Sequence, residues 1–170
     1  MTRTGGFRIE KRIAIMILET LSKNSLFDNV SEDYLQMLVS NRVEVNLDPG
    51  EFLFHQGEMG KGMYILVEGS IDVVLEENNK ILKVLATLKP GDYVGEVCML
   101  SPQERTASVH AKDKAKLLYI DAQHFLRDVA GKDPNALQIS HNVALTLSER
   151  LKKANALVAA LSKDNLTAII

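Results

Sequence analysis

The sequence predicts a mainly β fold with flanking α-helices: an antiparallel β-roll, double-stranded β-helix or jelly-roll-like, with N-terminal helices before it and a long C-terminal helix after it. Three observations carry this. The hydrophobic period changes from helical to β-type near Val43, and back to helical after Asp121. Between those points the chain breaks into short apolar runs punctuated by glycine, proline and aspartate. The C-terminal segment then carries an apolar stripe in steps of three and four.

Taken in order, the apolar residues from Phe7 to about Ser22 have helical spacing, and Ser31 is placed to cap a second helix carrying Tyr34, Leu35, Leu38 and Val39. Strands follow at Val43 to Leu47, Glu51 to His55, Met63 to Val67, Ile71 to Leu75, Ile81 to Leu88, Ala107 to Ala111 and Leu117 to Ile120. Turn chemistry separates nearly every pair, at Asp48-Pro49-Gly50, Gly57 to Gly62, Glu68-Gly69, Asn78-Asn79 and Lys89-Pro90-Gly91-Asp92. So many short strands with tight turns point to a closed roll, which removes exposed sheet edges. After Asp121 come a short helix through Phe125 and Val129, a break at Gly131 to Pro134, and a helix from about Asn135 to Ser162. The expected organisation is a helical segment over residues 1–42, a roll over 43–120 and a C-terminal hinge and helix over 121–170.

Composition bounds the function. A chain of 170 residues with 46% hydrophobic and 25% charged content is sized for one globular domain. Twenty Lys+Arg against 22 Asp+Glu give a formal charge of −2, without the basic excess of a surface that coats nucleic acid. The apolar run Ile13 to Leu18 is too short to cross a bilayer and lacks a cleavage signature. The single cysteine, Cys98, has no intramolecular partner, which fits a reducing, cytoplasmic setting. His55, His110, His124 and His141 are scattered without metal-ligand spacing, so no metal site is expected. No nucleophile or acid–base pair suggests an enzyme.

One stretch, residues 91–108, concentrates the chemistry. A strand ends at Gly95, a short segment able to form one helical turn follows, and Arg105 precedes the next strand. Amides of a tight turn leading into a helical N-terminus form an anion-binding concavity, and Gly95 lets the backbone approach a ligand closely. Arg105 supplies a forked cationic donor matched to phosphate oxygens. Glu96 would repel a phosphate but suits a sugar hydroxyl, the role an acidic residue plays toward ribose in dinucleotide sites. Together these groups describe a phosphate joined to a ribose. Taken alone, Arg105 reads first as a surface arginine paired with Glu104 or Glu96, and only the cassette spacing around it favours the phosphate. The glycines at 57, 60, 62 and 69 read as turn formers.

Gly95-Glu96, eight intervening residues, then Arg105-Thr106-Ala107-Ser108 resembles the phosphate-binding cassette of cyclic nucleotide-binding domains, as found in the catabolite activator protein, the protein kinase A regulatory subunit and nucleotide-gated channels. The resemblance extends through Pro49-Gly50-Glu51, His55-Gln56-Gly57-Glu58, Met63-Tyr64-Ile65-Leu66, Glu68-Gly69-Ser70-Ile71, Pro90-Gly91-Asp92 and Leu117-Leu118-Tyr119-Ile120. It implies a small-molecule ligand, cAMP or cGMP, and no further cofactor. It also implies that Arg105 binds the cyclic phosphate, Glu96 accepts from the ribose 2′-hydroxyl, and amides around Gly95, Val97, Cys98, Thr106 and Ala107 complete the cradle. Val94 stands where the family often has an aromatic residue, and Cys98 where a smaller residue is usual. Thr106 matches several cGMP-responsive members and some cAMP-preferring channels. Arg150 resembles the basic residue with which some channel domains reach over the base, and reads equally as a solvated helix arginine.

The stripe Leu137, Ser140, Ala144, Leu147, Leu151, Ala154, Val158 and Leu161 would run about 36 Å at the helical rise. Either it covers the roll or it forms a homodimer seam; its length favours the seam beyond the first turns. Relatives of the activator type add a DNA-binding unit after the long helix, and only Lys163 to Ile170 follow here, so no DNA-binding domain is expected. The sequence therefore predicts a cyclic nucleotide sensor that repositions its C-terminal helices and signals to an effector protein, with Gly131 and Pro134 as the hinge. The alternative is a structural dimerisation domain that keeps the roll without binding nucleotide.

Overall fold

The computed structural model describes residues 15, 17–40, 43–77 and 80–167, with the side chains of the last helix described to residue 159 except 157. Much of the expected first helix, the Asn78-Asn79 turn, the Leu161 end of the stripe and the apolar tail at Leu166, Ile169 and Ile170 lie outside the described side chains.

Helix α1 (residues 17–22) leads through a 3-10 turn, Ser25–Phe27, into α2 (Glu32–Ser40). Ser31 caps α2 as the sequence predicts, its Oγ accepting from the Tyr34 amide at 3.3 Å. Strands β1 (Val43–Leu47), β2 (Phe52–Phe54), β3 (Met59–Gly60), β4 (Gly62–Glu68), β5 (Ile71–Glu77), β6 (Lys80–Leu88) and β7 (Tyr93–Val94) precede the single-turn helix α3 (Val97–Leu100). Then come β8 (Gln103–Glu104), β9 (Ser108–Ala111), β10 (Ala115–Asp121), α4 (Ala122–Ala130) and α5 (Pro134–Thr167). All strand pairs are antiparallel, in four-stranded sheets ordered β1-β10-β4-β7 and β2-β9-β5-β6, with β3 and β8 forming a small ribbon. The long runs sit where the period places them. The two-residue strands β3, β7 and β8 are too short for any period to register.

Two cores explain why β4 reads as an unbroken apolar run. Its alternate residues Met63, Ile65 and Val67 face the helices, joining Leu21, Phe27, Phe125 and Ile139. Leu66 faces the interior of the roll with Phe54, Ile71, Val109 and Leu117. A strand covered on both faces has no polar side to show.

The start of α5 belongs to the first core. Ala136, Ile139 and Val143 are buried, and the buried Asn142 donates to the carbonyls of Leu26 at 2.9 Å and Asp28 at 3.0 Å. Burying an Ile or Val side chain is worth about 1.5–3 kcal/mol, so these residues fasten the helix to the body. The face they form lies beside the predicted stripe: Leu137, Ala144 and Leu151 are exposed, and Leu147 is partly packed. In the stripe's first turns only Leu147 packs on the body, and Leu137 and Ala144 are left uncovered.

The expected hinge has a defined backbone. Gly131 has ordinary right-handed backbone at φ −71°, while the left-handed conformation falls on Lys132 at φ 60°. Pro134 opens α5, where a missing amide costs nothing, and the Asp133 carboxylate accepts from the Asn135 and Ala136 amides. The turn is thus a capped junction as well as a break.

Strand β6 is the outer strand of its sheet, and nearly all of its residues are exposed. Its pairing with β5 shifts twice, leaving Leu82 and Leu85 without a partner across the ladder.

Candidate functional site

The residues expected to bind ligand converge on one cleft of about 280 Å³ between β7, α3, β8 and the start of β9, with Arg150 of α5 at its rim. Gly95, Glu96, Val97, Cys98, Arg105, Thr106, Ala107 and Arg150 all line it. The volume is near the lower end of the range for small-molecule sites.

Arg105 is the centre of the cleft. Only 7% exposed, it lies with its guanidinium carbon 4.2 Å from the Phe54 ring centroid and 5.6 Å from that of Tyr64. These aromatic faces hold the cation without neutralising it. Its polar contacts are weak, from Nη1 to the Gly95 carbonyl at 3.5 Å and to Cys98 Sγ at 3.4 Å. Among the described residues no ion pair involves Arg105, which rules out the reading as a surface arginine paired with Glu104 or Glu96. Burial pushes the Tyr64 hydroxyl above its ordinary range, and the Arg105 charge opposes that rise.

Two glycines make room for this arginine. Gly95 has φ +80°, and a Cβ there would lie 2.1 Å from Arg105 Nη1. Gly60 has no unusual φ, yet a Cβ would lie 2.3 Å from Cys98 Sγ and 2.9 Å from Arg105 Cζ. The turn-former reading of Gly60 is therefore corrected: it is glycine because cassette side chains pack onto its backbone. Gly62 is likewise a close-approach glycine, with the Ile120 carbonyl 2.2 Å from where its Cβ would stand.

Cys98 is buried in α3, and its amide donates to the Gly95 carbonyl at 3.1 Å. This differs from the expected cradle, since that donor is already used to close the turn. Glu96, 2% exposed, is paired with Arg150 Nη1, which reaches down from α5. One helical turn earlier, the Tyr93 hydroxyl donates to Thr146 Oγ1 at 3.1 Å, so β7 and the cassette hold α5 at two points four residues apart. Arg150 is thus neither simply solvated nor free over the cleft.

Sequence reasoning missed the apolar wall, made by Phe54, Val73, Ala86, Leu88 and Val109. Inward-facing strand residues look the same whether they meet a core or a cleft. The side chain beneath Arg105 carried a weak signal: Phe54 is an aromatic at the end of its strand, next to the His55-Gln56-Gly57-Glu58 run.

A family model, "Cyclic nucleotide-binding domain", matches residues 44–130, about half of the chain. The chain belongs to this family. The human potassium/sodium hyperpolarization-activated cyclic nucleotide-gated channel 4 is 33% identical over 134 residues, covering 78% of this chain and 11% of the channel. The chain thus spans about a tenth of the length of that relative. Among solved structures, the Thermus thermophilus catabolite activator protein matches with TM-score 0.71 and 25% identity, over 82% of this chain and 63% of that one. A cAMP-bound PfPKA-R matches with TM-score 0.61 and 26% identity, over 68% and 41%. These relatives are channels and regulators by name. No described helix is long and apolar enough to cross a membrane.

Proposed function

We propose that the chain is a regulatory module that binds cAMP or cGMP in the Arg105 cleft and transmits occupancy through α4 and α5. The observation that carries this reading is Arg105: a nine-tenths-buried cation with no described carboxylate, beside a glycine turn. A buried charge without a counter-charge is costly, and an arriving cyclic phosphate removes that cost. The two phosphate oxygens match the guanidinium fork.

Glu96 gives the cleft its reporter. When a ribose 2′-hydroxyl donates to this carboxylate, it competes with Arg150, so filling the cleft changes what holds α5. A ligand shifts an equilibrium only through different affinities for its states, and this exchange of partners supplies the difference. Thr106, exposed beside Arg105, is the residue through which guanine would be preferred. The exposed face at Leu137, Ala144 and Leu151 is the seam by which α5 meets a second copy or an effector protein. The buried, unpaired Cys98 suits a reducing compartment such as the cytoplasm.

Parallel calorimetric titrations with cAMP and cGMP test the assignment. Saturable 1:1 binding of either, abolished or strongly weakened by Arg105→Ala, is expected. Binding of neither nucleotide by a folded protein would leave the structural dimerisation reading in place.

A further inference from the structure

The face of the second sheet opposite the cleft carries a polar junction. Val73 and Val109 line the cleft, so by strand alternation Ser108, paired with Val74, points to the other face. There the fully buried Ser108 Oγ donates to Glu76 Oε1 at 2.7 Å and accepts from the Gln56 amide at 2.7 Å. His55 Nδ1 stands 2.7 Å from the same Glu76 oxygen, and since a carboxylate only accepts, that nitrogen carries the proton. The His55 ring is stacked on Phe52, with centroids 4.4 Å apart. One carboxylate on β5 therefore ties together the end of β2 and the start of β9. Hydrogen bonds from Ser108 first, and His55 second, hold the Glu76 carboxyl below its ordinary range.

This junction continues into Arg105 through the backbone. The Gly57 amide donates to the Arg105 carbonyl at 2.9 Å, and the Arg105 amide donates to the Glu58 carbonyl at 2.8 Å. The loop from His55 to Glu58 thus clasps the peptide on both sides of Arg105, while Glu76 ties the start of that loop at His55, and Ser108 three residues beyond Arg105, to β5. We infer that Glu76, with Ser108 and His55, is a positioning residue: it sets the backbone from which Arg105 reaches the cleft, without touching ligand. The inference rests on Arg105 being the anion-binding group proposed above. It assigns the outer sheet face a share in affinity that neither composition nor cassette spacing reveals.

The test combines a ligand-free and a ligand-bound readout on Glu76→Ala and Glu76→Gln, the second keeping an acceptor oxygen. In the ligand-free protein, amide exchange at Gly57 and Arg105 should quicken by about tenfold in Glu76→Ala and by less in Glu76→Gln, while the Ile65 and Leu118 amides of the other sheet stay as in the wild type. In titrations, Glu76→Ala should weaken cAMP roughly threefold to thirtyfold, with Glu76→Gln between it and wild type. In an Arg105→Ala background it should remove little more, because its effect passes through Arg105. Unchanged exchange at Gly57 and Arg105, or an equal rise at the control amides, would overturn the inference. So would a full additional loss in the Arg105→Ala background. If exchange responds as described but the wild type binds neither nucleotide, the junction stands and the ligand assignment fails.

Discussion

The two arginines of the cleft are opposites. Arg105 is buried in the roll, pinned through its backbone and lacking any described carboxylate, whereas Arg150 is half-exposed on a helix and holds Glu96. A fixed cation awaiting an anion is suited to bind. A half-exposed cation whose partner is the buried Glu96 carboxylate is suited to change partners, because a ligand hydroxyl that donates to that carboxylate takes over part of what the arginine supplies. On the proposed reading, one residue carries affinity and the other carries the report of it.

The sharpest way to break this contrast is Arg105→Ala. It should leave a bound phosphate without its counter-charge, costing about 2–5 kcal/mol, or roughly thirtyfold to several thousandfold in affinity by calorimetry. An equal loss from Arg150→Ala would erase the distinction. Gly95→Ala comes next: with φ +80° and Arg105 Nη1 in the space a methyl would take, it should lower affinity by at least about tenfold. Thermal melting would separate that loss from unfolding. Glu96→Gln should weaken a ribonucleotide more than its 2′-deoxy analogue, and equal losses would remove the ribose role. Arg150→Ala, which leaves the buried Glu96 carboxylate without its cation, should lower thermal stability by about 1–3 kcal/mol and change the amide protection over residues 121–160 that nucleotide confers.

Truncation sharpens the same contrast along α5. Ending the chain after Asp133 would remove Ala136, Ile139 and Val143 from the first core and should destabilise the roll itself. Ending it after Lys153 keeps those residues and Arg150. That variant should melt close to wild type and bind nucleotide, and because it keeps Leu137, Ala144 and Leu151 it should still sediment as a dimer if those residues are the seam; a monomer would place the contact further along the helix.

The roll and cassette were legible in the sequence because their signals are local. Period changes mark the strands, and Gly95, Glu96 and Arg105 lie within eleven residues of one another. The Glu96–Arg150 pair and the Glu76 junction were not, because each joins side chains 54 or 21 to 32 residues apart that no spacing rule relates. His55 read as one of several scattered histidines, and its meaning depends on Glu76 being folded beside it. The inner face of α5 was misplaced by about one residue, since Ala136 and Asn142 are poor hydrophobic markers while the exposed Leu137 and Leu151 are strong ones. The left-handed residue at Lys132 escaped because a neighbouring glycine is the usual host for that conformation.

Strand β6 has a consequence for handling the protein. Its outer edge displays Ile81, Leu82, Val84 and Leu85, a composition that in a flat strand would recruit another strand and grow into aggregates. The two unpaired leucines kink that edge, and Lys80 and Lys83 charge it, so a second ladder finds no straight template. Removing both Leu82 and Leu85 to give β6 an even register would be expected to make concentrated samples turbid while leaving the Arg105 cleft largely as it was.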